Sequence, residues 1–172
     1  MSLVIITKTK RITKPISTSY NQLSIDDINS IVDIEEQNSQ SSWSKKKLIE
    51  SIQNSTNLCY SVSNNNQIIG FMMVMTAIDT ADILNISISP EFQRMGYGFK
   101  LLNYLIEKLK RKKIIEILLE VRVSNLSAIS FYLKHNFEKV SVRKNYYIKN
   151  SKHTNQKEDG IIMRLKSKHK KL

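Results

Sequence analysis

The sequence is poor in the residues that build cross-links and metal sites. A single cysteine, Cys59, stands among 172 residues, so no intrachain disulfide can form. That usage predicts a reducing compartment, the cytoplasm. Three histidines (His135, His153 and His169) lie far apart without ligand spacing, so no metal site is expected. Apolar runs reach only about five residues, as around Leu3–Ile6, against the roughly 20 that span a bilayer. No basic segment precedes an apolar one at the N-terminus, so no secretory signal is expected. Acidic residues are also scarce, 15 against 27 Lys and Arg, for a net charge of +12. Neither an internal repeat nor a composition break marks a second domain.

What remains is the composition of one globular domain. Hydrophobic residues make up 41% and charged residues 24%, which supports a buried core and argues against wholesale disorder. The expected organisation is an extension over 1–15, a domain over 16–165 and a basic tail over 166–172. The positive balance can attract nucleic acid or other polyanions. It also has a compositional reading. Lys, Asn and Ile together form roughly a third of the chain, all three favoured by A-T-rich codons, and the lysines are dispersed apart from Lys108–Lys113 and Lys166–Lys171. No aromatic signature of RNA binding adjoins either cluster. Neither a nucleic-acid nor a membrane partner is expected, and the chain reads as a monomer.

Local signals give a mixed α+β order. A strand is predicted over Ile16–Gln22. Ser24 with Asp26 and Asp27 opens a helix carried by Ile28, Ile31, Val32 and Ile34–Glu35 and broken at Ser39–Ser42. Ser44 caps a second helix over Lys45–Gln53. Strands follow at Leu58–Val62, Gln67–Ile78 and Asp82–Ser89, with an Asn64–Asn66 turn between the first two and Pro90 ending the third. Tyr97, Leu101, Leu102, Leu105, Ile106 and Leu109 mark a helix to about Lys112. Ile114–Val123 is nearly all apolar, as in a strand buried on both faces. Ser124 and Asn125 cap a short helix with an expected core stripe of Leu126, Ile129 and Leu133. Strands at Phe137–Tyr147 and Ile161–Leu165 close the chain, with a polar linker over 148–160. Cys59, Met72, Met73 and Met75 read as core residues.

The chemistry concentrates in the second half. Gln93-Arg94-Met95-Gly96-Tyr97-Gly98 follows a strand and opens a helix, where unpaired N–H groups and the positive end of the helix dipole favour a phosphate or pyrophosphate. It is neither the dinucleotide glycine pattern nor a P-loop, and alone it is equally consistent with a simple turn. Glu120 sits in an otherwise apolar strand, where burial raises a carboxyl pKa towards a general base's range. Glu120 and Arg122 share a strand face, so a structural ion pair is the competing reading. Tyr132 lies seven residues after Asn125, two helical turns on, so the two share a face; a packed core aromatic is its alternative.

In context these residues resemble the GCN5-related N-acetyltransferase (GNAT) family, whose acetyl-CoA signature is Q/R-x-x-G-x-G/A. Asn85–Gly98 carries that signature. Leu119–Asn125, Ala128-Ile129, Phe131-Tyr132 and Asn136-Phe137 resemble the rest of the core. Trp43-Ser44, Arg143-Lys144-Asn145-Tyr146-Tyr147 and Glu158–Met163 look like the bacterial ribosomal-protein-alanine N-acetyltransferases. The likeness covers about residues 20–165. It implies a mostly antiparallel mixed sheet flanked by helices, with a V-shaped opening between the Asp82–Ser89 and Ile114–Val123 strands.

The resemblance also implies roles. Backbone amides of Arg94, Met95, Gly96, Tyr97, Gly98 and Phe99 would hold the pyrophosphate of acetyl-CoA. Ile86, Ser87 and Ile88 would pair with the pantetheine arm as an added strand, and the Ile88 N–H would polarise the thioester carbonyl. Asn125 would contact the cofactor. Glu120 would be the base, through water, and Tyr132 the acid. Trp43, Tyr146 and Tyr147 would line the acceptor site, with plain packing as their alternative. The implied acceptor is a protein N-terminal α-amine, best matched by the N-terminal alanine of a small-subunit ribosomal protein. Such an amine titrates at roughly 7.7–8.0 against about 10.4 for lysine, so a modest base suffices. Two rivals stay open: a lysine, polyamine or small-amine acceptor, and a non-catalytic ribosome- or RNA-binding module. A basic enzyme gains no steering towards a basic ribosomal protein, so the charge is not read as substrate recognition. Two positions depart from the pattern: Ser42 stands where relatives often have Pro, and Phe99 where a basic or small polar residue is common.

Overall fold

The local signals set most element boundaries. In the computed structural model, which describes residues 17–38, 43–148 and 156–166, β1 is Thr18–Gln22 and a short 3-10 turn, Ile25–Asp27, leads into α1, Ile28–Asn38. Ser24 and Asp27 cap that turn reciprocally, each side chain taking the other's backbone N–H. The Ser44 hydroxyl accepts from the Lys47 N–H and starts α2 at Lys45–Gln53, the predicted span. The predicted extension over 1–15, the break at Ser39–Ser42 and the tail beyond Lys166 lie outside the described residues.

Strands β2 (Asn57–Asn64), β3 (Gln67–Thr76) and β4 (Thr80–Ile88) form an antiparallel meander with β1. Asn65 and Asn66 both adopt positive φ in the β2–β3 turn, which asparagine tolerates. Helix α3, Tyr97–Arg111, buries Tyr97, Leu101, Leu102, Leu105 and Leu109, and Lys108, Lys110 and Arg111 meet the negative end of its dipole. Each of those buried leucines contributes about 1.5–3 kcal/mol. Strand β5 (Glu116–Arg122), α4 (Leu126–Lys134), β6 (Glu138–Ile148) and β7 (Lys157–Lys166) complete the chain. The seven-stranded sheet runs β1-β2-β3-β4-β5-β7-β6. Only β4 and β5 pair in parallel among the described residues. The predicted mixed, mostly antiparallel α+β domain is the one observed.

The two sheet faces differ. On one, α3 and α4 cover a continuous core that includes Met72, Val74, Ile83, Leu119, Val121, Tyr132 and Met163. On the other, α1 and α2 cover only the β2–β4 side, through Ile31, Ile34, Leu48, Phe71 and Met73. The rest of that face, on β5, β7 and β6, carries ion pairs: Glu120 with Arg143, Arg122 with Glu158, and Arg164 with Glu116 and Glu138. No helix among the described residues is long and apolar enough to cross a membrane.

Three expectations are corrected. β5 is not buried on both faces: Ile117, Leu119 and Val121 are buried, while Glu116, Leu118, Glu120 and Arg122 keep partial exposure, because no described helix covers their side. The core stripe of α4 is Ile129 and Tyr132. Leu126 and Leu133 are 72% and 47% exposed, because α4 turns its neighbouring face to the sheet. Met75, near the end of β3, is half-exposed, unlike buried Met72 and Met73.

Candidate active site

The site begins where two paired strands part. β4 and β5 are in register from Thr80↔Glu116 to Ile83↔Leu119 and pair no further, although β4 continues to Ile88 and β5 to Arg122. Leu84 is unmatched in the β3–β4 ladder, between Val74↔Ile83 and Met73↔Asn85, and such a bulge bends its strand. The opening expected between these two strands is therefore present. Gly70 lets β3 approach β4 at this end: a Cβ there would collide with Ile88 Cδ1 and lie 2.9 Å from the Ser87 carbonyl.

Past the split, one edge of β4 pairs with no other strand among the described residues. Ser89 donates to the Ile69 carbonyl at 2.8 Å, and alternate residues of a strand present their N–H and C=O groups to opposite edges. Ser87 therefore faces β3, whereas Ile86 and Ile88 present their backbone to the edge that β5 has left. The Ile88 carbonyl is already met there by the side-chain amides of Asn38 and Gln93, at 2.9 and 3.0 Å. Ser87 has no such backbone edge to offer, and its hydroxyl donates to Glu35 at 2.9 Å.

The turn into α3 is open. Arg94 and Gly96 both have positive φ, 61° and 84°, and a Cβ on Gly96 would meet nothing within 4 Å. Among the described residues, no acceptor takes the N–H of Arg94, Met95, Gly96, Tyr97, Gly98 or Phe99. Six unmet donors at the positive end of a helix fit a diphosphate well. The Arg94 guanidinium bonds the Ser127 hydroxyl at 3.1 Å, bringing this turn to the start of α4. Tyr97 is buried, Met95 is exposed, and half-exposed Phe99 packs its ring on His135. Asn125 is the N-cap of α4, its side-chain oxygen taking the Ala128 N–H at 3.1 Å.

Glu120 is not the isolated carboxylate that its apolar neighbours suggest. Its side chain is 20% exposed and pairs with the Arg143 guanidinium at 3.1 Å. It also takes a hydrogen bond from the Tyr147 hydroxyl, which, after burial, raises that phenol far above its ordinary value. The ion pair with Arg122, the competing reading of Glu120, is not formed; Arg122 bonds Glu158 at 2.7 Å and lies 4.3 Å from the Tyr147 ring. Gly160 provides the space: a Cβ there would stand 3.1 Å from Tyr147 and 3.4 Å from Glu120. Sequence reasoning missed Arg143. It faces Glu120 because β6–β7 pairing sets Arg143 opposite Gly160, with one register shift before it, between Lys139 and Ser141, and one after it, between Arg143 and Tyr147, which no period-two pattern reveals.

Tyr132 is buried, and burial raises its phenol far above the ordinary value, so it keeps its proton. Its hydroxyl has no partner among the described residues. Tyr132 lies on the α3–α4 face of the sheet and Glu120 on the other. They can act on one molecule only through the gap between β4 and β5. Trp43 packs on the α1–α2 core, on the same face as Glu120. Half-exposed Tyr146 stands edge-on to Tyr147, ring centres 5.0 Å apart.

Comparison with known proteins agrees with this arrangement. The model of the "Acetyltransferase (GNAT) family" matches residues 28–137. The chain is 38% identical over 143 residues to the [ribosomal protein bS18]-alanine N-acetyltransferase of Haemophilus influenzae, covering 83% of this chain and 94% of that one. The crystal structure of the ribosomal-protein-S18-alanine N-acetyltransferase from Escherichia coli superposes with a TM-score of 0.80 at 30% identity, over 87% of this chain and 94% of that one. In fold alone, it is also similar to the PaiA N-acetyltransferase of Thermoplasma acidophilum in complex with coenzyme A, with a TM-score of 0.71 at 22% identity over 88% and 99% of the two chains. The parted strands, the open turn before α3 and these likenesses lead to one conclusion: the chain is an acetyltransferase and belongs to the GNAT family.

Proposed function

We propose that the chain transfers acetyl from acetyl-CoA to the α-amine of a protein N-terminus, the N-terminal alanine of a small-subunit ribosomal protein being the acceptor. The observation that carries the chemistry is the row of six unmet amides from Arg94 to Phe99 beside the free edge of β4. The acceptor is supported by the names of curated relatives, such as the [ribosomal protein bS18]-alanine N-acetyltransferases of Escherichia coli and Haemophilus influenzae. This acceptor would be met in the cytoplasm.

Bound acetyl-CoA supplies a thioester as the activated acetyl donor. The amides of Arg94–Phe99 hold its diphosphate, and the Ile86 and Ile88 edge groups align its arm. The Ile88 N–H donates to the carbonyl oxygen as charge develops there. Glu120 takes the proton of the incoming amine, directly or through one water. Tyr132, held in its O–H form, gives a proton to the departing sulfur. Burial disfavours a thiolate, so protonation helps the sulfur to leave. Trp43, Tyr146 and Tyr147 line the approach of the acceptor.

The test is acetyl-CoA turnover with a peptide bearing the bS18 N-terminus, free or blocked. The free peptide is acetylated at its α-amine and the blocked one is not. Acetylation that survives blocking would assign the activity to side-chain amines and overturn the acceptor.

A further inference from the structure

The last turn of α1 holds a carboxyl group that the chemistry above does not use. Glu35 is 4% exposed, and no ion pair reaches it among the described residues. Its two oxygens serve two different elements. Oε1 accepts from the Trp43 N–H at 3.1 Å, just ahead of α2, and Oε2 accepts from the Ser87 hydroxyl at 2.9 Å, on β4. Three residues on, Asn38 donates to the Ile88 carbonyl and Gln93 donates to both. One helical turn thus braces the acceptor-side tryptophan, the free-edge segment of β4 and the entrance to the anion turn. Packing alone would favour an aliphatic residue at 35, like its neighbours Ile31 and Ile34, since burying a carboxyl is costly unless donors meet it.

We propose that Glu35 is a positioning residue that fixes Trp43 against the cofactor strand, so that the wall of the acceptor site is set by the segment that holds the acetyl donor. The inference rests on the reading of Trp43 as part of the acceptor site. Gln at position 35 keeps both contacts, its carbonyl accepting from Trp43 and its amide donating to the Ser87 oxygen. Ala loses both, and Ala at position 87 loses only the β4 contact.

The test uses the full chain with acetyl-CoA and a free N-terminal alanine peptide. Glu35→Ala is expected to raise the peptide KM about tenfold or more, because a small misplacement of a binding wall is expensive. Glu35→Gln stays within about threefold of the parent, and the acetyl-CoA KM moves less than about twofold in both. Ser87→Ala raises the peptide KM about threefold to fivefold and decides the matter should Glu35→Ala fail to fold. A lowered Tm with an unchanged peptide KM in the folded variants, or both KM values rising together, overturns the inference in favour of a plain strut. Trp43→Ala separates the two levels. If it leaves the peptide KM unchanged, the reading of Trp43 fails and the inference with it. If it raises the KM while the Glu35 and Ser87 variants do not, only the inference fails.

Discussion

Replacing Glu120 by Gln removes one proton acceptor and little else. The side chain keeps its shape and can still accept from the Tyr147 hydroxyl, while the pair with Arg143 at 3.1 Å is lost. Arg143 is half-exposed, so solvent screens that loss and stability should change by less than about 1 kcal/mol. The anion turn and the β4 edge belong to other elements, so acetyl-CoA binding should be preserved. Two magnitudes bound the loss of rate. An α-amine with a pKa of about 7.8 is roughly one-seventh neutral at pH 7. If Glu120 merely selected the neutral amine, the loss could not exceed about sevenfold and would vanish near pH 9. If Glu120 takes the proton as the bond forms, the loss is about 10²–10⁴-fold. We expect about 10²-fold in kcat/KM at pH 7, with residual activity rising about sevenfold towards pH 9 as the amine deprotonates by itself. Following free-thiol release from acetyl-CoA with a bS18 N-terminal peptide across pH 6.5–9, a range chosen around about 7.8, measures both quantities. A loss of no more than about sevenfold at pH 7 would refute the role of Glu120 as the base in the bond-forming step.

Three further outcomes are expected. Tyr132→Phe removes a hydroxyl that bonds nothing among the described residues, so Tm should hold within about 2 °C while single-turnover acetyl transfer slows at least about tenfold; an unchanged rate assigns Tyr132 to the core alone. At Gly96 the φ of 84° with open space around the missing Cβ makes the cost of Ala purely conformational, about 1–2 kcal/mol, or a Tm lower by about 2–8 °C in calorimetry. At Gly98 an added Cβ meets Phe131 and Ile88 at ordinary distances of 3.6 and 3.7 Å, so Gly98→Ala should melt like the parent, and a larger drop at Gly98 than at Gly96 would contradict the turn geometry. The neighbouring Ser124 and then the Arg122 guanidinium, 2.7 Å away, hold Glu158 below its ordinary 4.5. A depressed native pKa gives stability that is complete above 4.5 and lost as pH falls below it; Tm should drop on that acid limb, less steeply in Glu158→Gln, and identical limbs would show that this carboxylate carries none of the dependence.

What depends on near neighbours is legible along the chain. Ser44 at the head of α2, the asparagines of the β2–β3 turn, the leucine stripe of α3 and the Gly96 turn each rest on contacts within a few residues, and each stands as the spacing predicts. The ordered blocks of the second half likewise carried the family and hence the sheet. What depends on which elements meet is settled by packing. Helical spacing in α4 gives a face but not its exact rotation, so of the stripe Leu126, Ile129 and Leu133 only Ile129 is buried, and Tyr132 joins it. Alternation along β5 could not show that α1 and α2 stop short of it, leaving Glu120 on an open face. Arg143 reaches Glu120, and Glu35 joins Trp43 to Ser87, across 23 and up to 52 residues of chain. A charge or hydrogen bond acts through space, so its partner is fixed only when packing brings distant strands and helices together.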